Sequence, residues 1–149
     1  MAFANATYTQ IDGPRNTVTR TVGDGTQNAA LPTAVTIQDP ATLTDMDPGA
    51  PGANPATKLR VDHIEYSISD GITVQLYFDA TTPIAICELY GRGKLDWREF
   101  GGIANNAGTG VTGKILMTIV AADQAATAVT VSWLVVLRTV KCAPARGGA

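Results

Sequence analysis

The 149-residue sequence predicts an all-β chain, a β-sandwich or jelly-roll of about eight strands with an extended proline-rich N-terminal arm. Three observations lead there. From Lys58 onward, apolar residues recur at every second position in short runs closed by strong turn signals. No segment carries a helical repeat longer than a turn or two. Six of the eight prolines (Pro14, Pro32, Pro40, Pro48, Pro51 and Pro55) fall before Lys58. The expected division is an arm at 1–57, a sandwich core at 58–141 and a mobile tail at 142–149.

Within the arm, 17–22 and 34–37 alternate over a few residues beside turns such as Gly23-Asp24-Gly25, as short edge strands do. Asp39-Pro40 has the form of a helix N-cap followed by proline, but Asp45, Pro48 and Pro51 limit any helix to one or two turns. Residues 45–55 are too polar and proline-broken to pack, and form a surface loop or the extended arm itself.

In the core, Leu59 and Val61 alternate on one phase and Ile64, Tyr66 and Ile68 on the other, which places a β-bulge at Asp62-His63. Ser69-Asp70-Gly71 forms a hairpin-type turn into a half-buried strand, with Ile72, Val74, Leu76 and Phe78 on its inner face. Residues 84–89 are apolar on both faces apart from Glu88, the pattern of a central strand. Leu95, Trp97 and Glu99 share one phase of a further strand ending at Gly101-Gly102. A loop around Asn105 and Asn106 precedes the strand at 114–121. The last strand covers about 126–141, and 121–126 is the only other place for a helical turn. In that last strand Val129, Val131, Trp133, Val135 and Leu137 make one unbroken face. The opposite face changes from Thr130 and Ser132 to Leu134 and Val136, so it is covered either by a second sheet or by another subunit.

Composition narrows function. Eleven basic against thirteen acidic side chains give a net charge of −2, with a pI of about 5.2. That balance has no long-range attraction for a phosphate backbone, so no nucleic-acid partner is expected. No apolar run approaches the ~18 residues of a membrane-spanning helix, and the start of the chain lacks the charged and apolar regions of a secretion signal, so a soluble protein with no membrane partner is expected. The sequon Asn5-Ala6-Thr7 is then accidental.

One histidine, His63, and two cysteines, Cys87 and Cys142, are too few and too scattered for a structural zinc site. No nucleophile elbow accompanies His63, which is read as a polar strand residue. Cys87 lies in an apolar strand pattern and is read as a free thiol, although a disulfide to Cys142 is chemically possible. Gly108-Thr-Gly-Val-Thr-Gly113-Lys114 matches G-x-x-x-x-G-K. However, Ile115 stands where the magnesium-binding hydroxyl belongs, and the residues that follow are strand-patterned, so there is no helix N-terminus to hold an anion. Asp45 and Asp47 lack the remaining ligands of a calcium loop. Asp70, Asp79, Glu88, Asp96 and Glu99 are read as scattered strand-end carboxylates rather than a glycosidase pair. No catalytic, metal-binding or cofactor-binding residue is assigned, and the chain is expected not to be an enzyme.

Tyr90, Arg92, Trp97, Arg98 and Phe100 gather aromatic and guanidinium groups of the kind enriched at interface hot spots. Together with Leu134 and Val136 they are the candidate protein-interface residues.

The segment from His63 to Lys141 resembles small structural proteins of tailed bacteriophages. The resemblance rests on Gly-x-x-Val-x-Leu-x-x-Asp-Ala-Thr-Thr-Pro from Gly71 to Pro83, Phe-Gly-Gly at 100–102 and Gly-x-Thr-Gly-Lys at 110–114. It covers 79 of the 149 residues, a little over half of the chain, and its motifs are turn and strand patterns without a chemical signature. It implies a virion component made in the host cytoplasm: a capsid-decorating (cement) protein or a head-tail piece. The major capsid protein or neighbouring virion proteins would then be its partners, with a homo-oligomer expected. The alternative is a carbohydrate-binding β-sandwich using Trp97, Tyr90 and Tyr77.

Overall fold

The computed structural model describes residues 5–27, 29–46, 56–121 and 129–142, and among them nine strands form two antiparallel sheets. The strands are β1 (Ala6–Asp12), β2 (Asn16–Thr26), β3 (Val35–Gln38), β4 (Lys58–Ile68), β5 (Ile72–Phe78), β6 (Ile84–Leu89), β7 (Arg92–Asp96), β8 (Ile115–Ala121) and β9 (Thr130–Cys142). One sheet has the order β1-β2-β9-β4-β7 and the other β3-β8-β5-β6. Helical structure among the described residues is limited to single 3₁₀ turns at Pro40–Thr42, capped by the Asp39 side chain, and at Arg98–Phe100.

Four strand pairings are nested in sequence: β5 with β6, β4 with β7, β3 with β8 and β2 with β9. The chain therefore behaves as one long double-stranded hairpin folded over on itself, and the β4–β9 and β5–β8 pairings join its layers. The core lies between the sheets. It takes Val61, Ile64 and Ile68 from β4, Val74, Leu76 and Phe78 from β5, Ile115 and Met117 from β8, and Val131, Trp133, Val135 and Leu137 from β9. Each such side chain contributes roughly 2 kcal/mol by leaving water.

The first 57 residues depart from expectation. Residues 17–22 belong not to an edge strand but to β2, whose eleven residues pair along their length with β9 while β1 covers its other side. Thr17, Thr19 and Thr21 are each 1% exposed and face the core opposite Thr139, Leu137 and Val135. Threonine is β-branched and fits the pleat, and two of these hydroxyls are hydrogen-bonded across strands: Thr17 Oγ1 bonds Thr139 Oγ1, and Thr21 Oγ1 bonds Thr7 Oγ1 at 2.9 Å. Gly23, in the same row, makes room for the Trp133 indole, since a Cβ there would lie 2.7 Å from Cζ2. The 34–37 alternation is the edge strand β3, as expected. Its preceding Pro32 accepts a 2.8 Å bond from Ile119 N, and Pro40 is buried. The most proline-dense part of the expected arm, 47–55, lies outside the described residues, as do the possible helical turn at 122–126 and most of the tail.

Residues 84–89 form β6, which is an edge strand and not a central one. The register of β5–β6 shifts between Leu76 and Tyr77, whose partners are Cys87 and Ala85, so Ile86 is an extra residue. That bulge switches the phase midway and gives an edge strand apolar residues on both faces. The Ser69-Asp70-Gly71 turn, with Gly71 at φ +90°, passes between the sheets instead of closing a hairpin. The strand expected through Phe100 stops at Asp96 and gives way to the 3₁₀ turn. The bulge expected at Asp62-His63 is present as a register shift between Val61 and His63.

Candidate interaction surfaces

Cross-strand partners share a face, so the registers map the outer surface of the five-stranded sheet row by row. Tyr8, Arg20, Val136, Glu65 and Lys94 form one row across all five strands. Ala6, Val22, Leu134, Ser67 and Arg92 form the next, and Ile11, Val18, Arg138, His63 and Asp96 form the row on the other side. The β1–β2–β9 half of this surface is mainly apolar, and the β4–β7 half is polar and charged. Tyr8 and Ile11 are 48% and 56% exposed, and the Arg20 guanidinium sits 5.0 Å from the Tyr8 ring centroid. Between the halves, Leu134 and Val136 border a shallow depression of about 260 Å³ with Glu65, Ser67 and Lys94.

The candidate interface residues are only partly brought together. Leu134, Val136 and Arg92 share this outer surface. Tyr90 and Phe100, 76% and 81% exposed, flank β7 at its opposite ends. Arg98 is tied by its Nε to Asp96 Oδ1 at 2.8 Å, an arrangement that holds the Asp96 carboxyl well below its ordinary pKa and raises that of the guanidinium. Trp97 is half-buried against the core. Tyr8, Ile11, Val18 and Val22 were missed by sequence reasoning. The signal for Val18 and Val22 is the alternate phase of 17–22, which shows as a face only once Thr17, Thr19 and Thr21 are placed inward; Tyr8 and Ile11 join that face only through the pairing of β1 with β2.

His63 is 7% exposed at the bulge. Its Nε2 lies 3.2 Å from Glu65 Oε1, its Nδ1 lies 3.9 Å from Asp96 Oδ2, and Arg138 is its cross-strand partner. Cys87 and Cys142 are free thiols, and burial pushes Cys87 up to about 12. Among the described residues no three His, Cys, Asp or Glu side chains gather as a metal site would need.

The glycine motifs have structural explanations. Gly110 and Gly113 adopt φ +70° and +82°, and a Cβ on Gly113 would lie 2.2 Å from Thr57 O. The loop they shape is held to the β5–β6 turn by Thr81 N donating to Thr109 O at 3.1 Å and by Thr112 Oγ1 donating to Asp79 Oδ2 at 2.6 Å. It leads into β8, a strand, and so offers no helix N-terminus to a phosphate. At Phe100-Gly-Gly, Gly101 and Gly102 both have positive φ, and the turn brings Ile103 back to exchange two hydrogen bonds with Val61.

No protein-family model matches this chain, nor does any curated protein or solved structure. The structure defines a class, the all-β two-sheet sandwich, with one outer surface that is mainly apolar over β1, β2 and β9, apart from Arg20 and Arg138, and polar and charged over β4 and β7.

Proposed function

We propose that this chain is a non-catalytic structural protein of a tailed-phage virion, a capsid-decorating protein that stabilises the assembled head through subunit contacts. The observation that carries the proposal is the β1–β2–β9 part of the outer five-stranded surface, where Val22, Leu134 and Val136 adjoin and Val18 lies diagonal to Val136, with Tyr8 and Ile11 beside them and the exposed Arg20 and Arg138 among them. Isolated apolar residues on a surface are ordinary, whereas apolar side chains clustered with an exposed tyrosine and arginines have the composition of a contact site. The nested strand pairing agrees with a jelly roll, a fold widely used in viral shells. The turn motifs that resemble small phage structural proteins support the same assignment.

A decorating protein works by linkage. It binds the assembled lattice and not the free subunit, so each bound copy shifts the equilibrium toward the intact shell. Many copies on a symmetric surface let modest individual contacts suffice. The direct test adds purified protein to heads assembled without it and follows their thermal disruption. A rise in disruption temperature that saturates with added protein is expected. Heads that neither bind the protein nor gain stability overturn the proposal.

A further inference from the structure

The outer surface of the four-stranded sheet is separate from the contact face just described. There Tyr77 lies between Leu116 and Ala85, and Gln75 between Thr118 and Glu88. These side chains and Pro83, in the turn before β6, line an open groove of about 520 Å³. That volume is typical of a small-ligand site.

We propose that this groove binds a neutral oligosaccharide. A pyranose has an apolar C–H face and a rim of hydroxyls, and the groove offers a counterpart to each. Tyr77 supplies an aromatic plane, with its hydroxyl fixed by a 2.9 Å hydrogen bond to Thr118 Oγ1, and Pro83 and Ala85 extend the apolar surface. Gln75 Nε2 donates to Glu88 Oε1 at 2.8 Å, which locks two planar polar groups side by side. Glu88 Oε2, Gln75 Oε1 and the second amide N–H remain to meet adjacent sugar hydroxyls. Both pairs are already tethered, so little side-chain entropy is lost on binding. Charge selects the ligand class: the lining holds one carboxylate and no lysine or arginine, so phosphates, sulfates and acidic sugars are disfavoured. Cys87 also lines the groove and, with its thiol pushed up to about 12, adds surface without charge.

The test is an amide chemical-shift titration of the full chain with neutral gluco-, manno-, galacto- and N-acetylglucosamine oligosaccharides, with a sialylated oligosaccharide as the acidic control. At least one neutral sugar is expected to give saturable shifts confined to residues around 75–77, 85–88 and 118. Tyr77→Ala and Glu88→Gln are each expected to weaken it about tenfold or more, the change that loss of roughly one good contact produces. Both side chains lie on the sheet's outer face, and a spectrum unchanged elsewhere verifies the fold. The proposal is overturned if no neutral sugar shifts these amides at millimolar concentration, if the acidic control binds equally well, or if binding survives both substitutions. Head association is read separately and does not depend on this outcome.

Discussion

Lys141 and Asp12 form an ion pair in which the ammonium is wholly buried and the carboxylate is partly exposed. They lie 129 residues apart, on β9 and β1, with β2 between those strands. Lys141 Nζ also donates to Thr44 O at 2.7 Å and Thr44 Oγ1 at 3.1 Å, and Thr44 N donates to Asp12 Oδ2 at 2.9 Å. The arrangement satisfies the ammonium's three protons and fastens the segment after β3 to the end of the five-stranded sheet. Removing one partner of a buried pair strands the other charge. Asp12→Ala is therefore expected to lower unfolding free energy by about 3 kcal/mol in a urea titration. Lys141→Met, which leaves no buried charge, is expected to cost clearly less.

The same pair gives a pH dependence. Burial pushes the Asp12 carboxyl up, but hydrogen bonds from Lys141 and Thr44 outweigh it and hold the group below its ordinary value of 3.8. A carboxylate depressed in the folded state contributes stability that is fully present above the unfolded pKa and is lost as pH falls through the folded one. Stability is thus expected to decline below about pH 4. Asp12→Asn should remove part of that acid-dependent loss. An identical acid profile for the two proteins, measured by denaturant unfolding from pH 7 to 2, contradicts this role.

Gly23 and Trp133 are matched by close approach. The Trp133 ring occupies the space of the missing side chain, and its indole N–H donates to Asn5 Oδ1 at 2.8 Å. A Cβ at Gly23 would also come within 2.9 Å of the Asn5 Cα. Gly23→Ala is expected to destabilise by about 1–3 kcal/mol, as overpacking does, and to alter the tryptophan emission. An unchanged unfolding midpoint and spectrum would show that the indole is free to shift.

Leu134 and Val136 are half-exposed on the outer surface, so charged replacements there should leave the monomer folded. Leu134→Arg is expected to change stability by no more than about 0.5 kcal/mol while abolishing association with heads. If the variant still co-sediments with heads at wild-type levels, the contact face lies elsewhere.

The two thiols belong to different sheets and are free. Reductant is expected to leave the melting temperature unchanged. Cys87, whose pKa burial raises to about 12, should react with iodoacetamide far more slowly than an unfolded cysteine at pH 8, because the thiolate is the nucleophile. Rapid alkylation of Cys87 in the folded protein would show that its thiol is not raised above the ordinary cysteine value.

Much of the fold was legible because alternation reports burial on one face. Ile72, Val74, Leu76 and Phe78 were assigned inward from their spacing, and the bulge at Asp62-His63 from a slip in phase. Legibility failed where polarity and burial part company. Thr17, Thr19 and Thr21 occupy core positions, so β2 looked like a solvent-exposed edge. The bulge at Ile86 put apolar residues on both faces of β6, so an edge strand looked central. The contact face could be read only through Leu134 and Val136, since its other members depend on the register of β2 against β9. The Lys141–Asp12 pair was invisible because nothing local links residues so far apart in sequence. The groove was hidden for a similar reason: Gln75, Tyr77, Glu88 and Thr118 meet only after three strands pair. Deleting residues 1–57, a natural test of an independent arm, would remove β1, β2 and β3 and is expected to unfold the protein.

In the proposed role this chain is a stoichiometric part of a virion, held by the β2–β9 outer surface. Quantitative mass spectrometry of phage particles purified from cells that express this chain during infection tests that role most directly. A fixed ratio of this chain to the major capsid protein, lost when Leu134→Arg replaces the wild type, is the expected result. Purified particles that lack the chain altogether would contradict the claim.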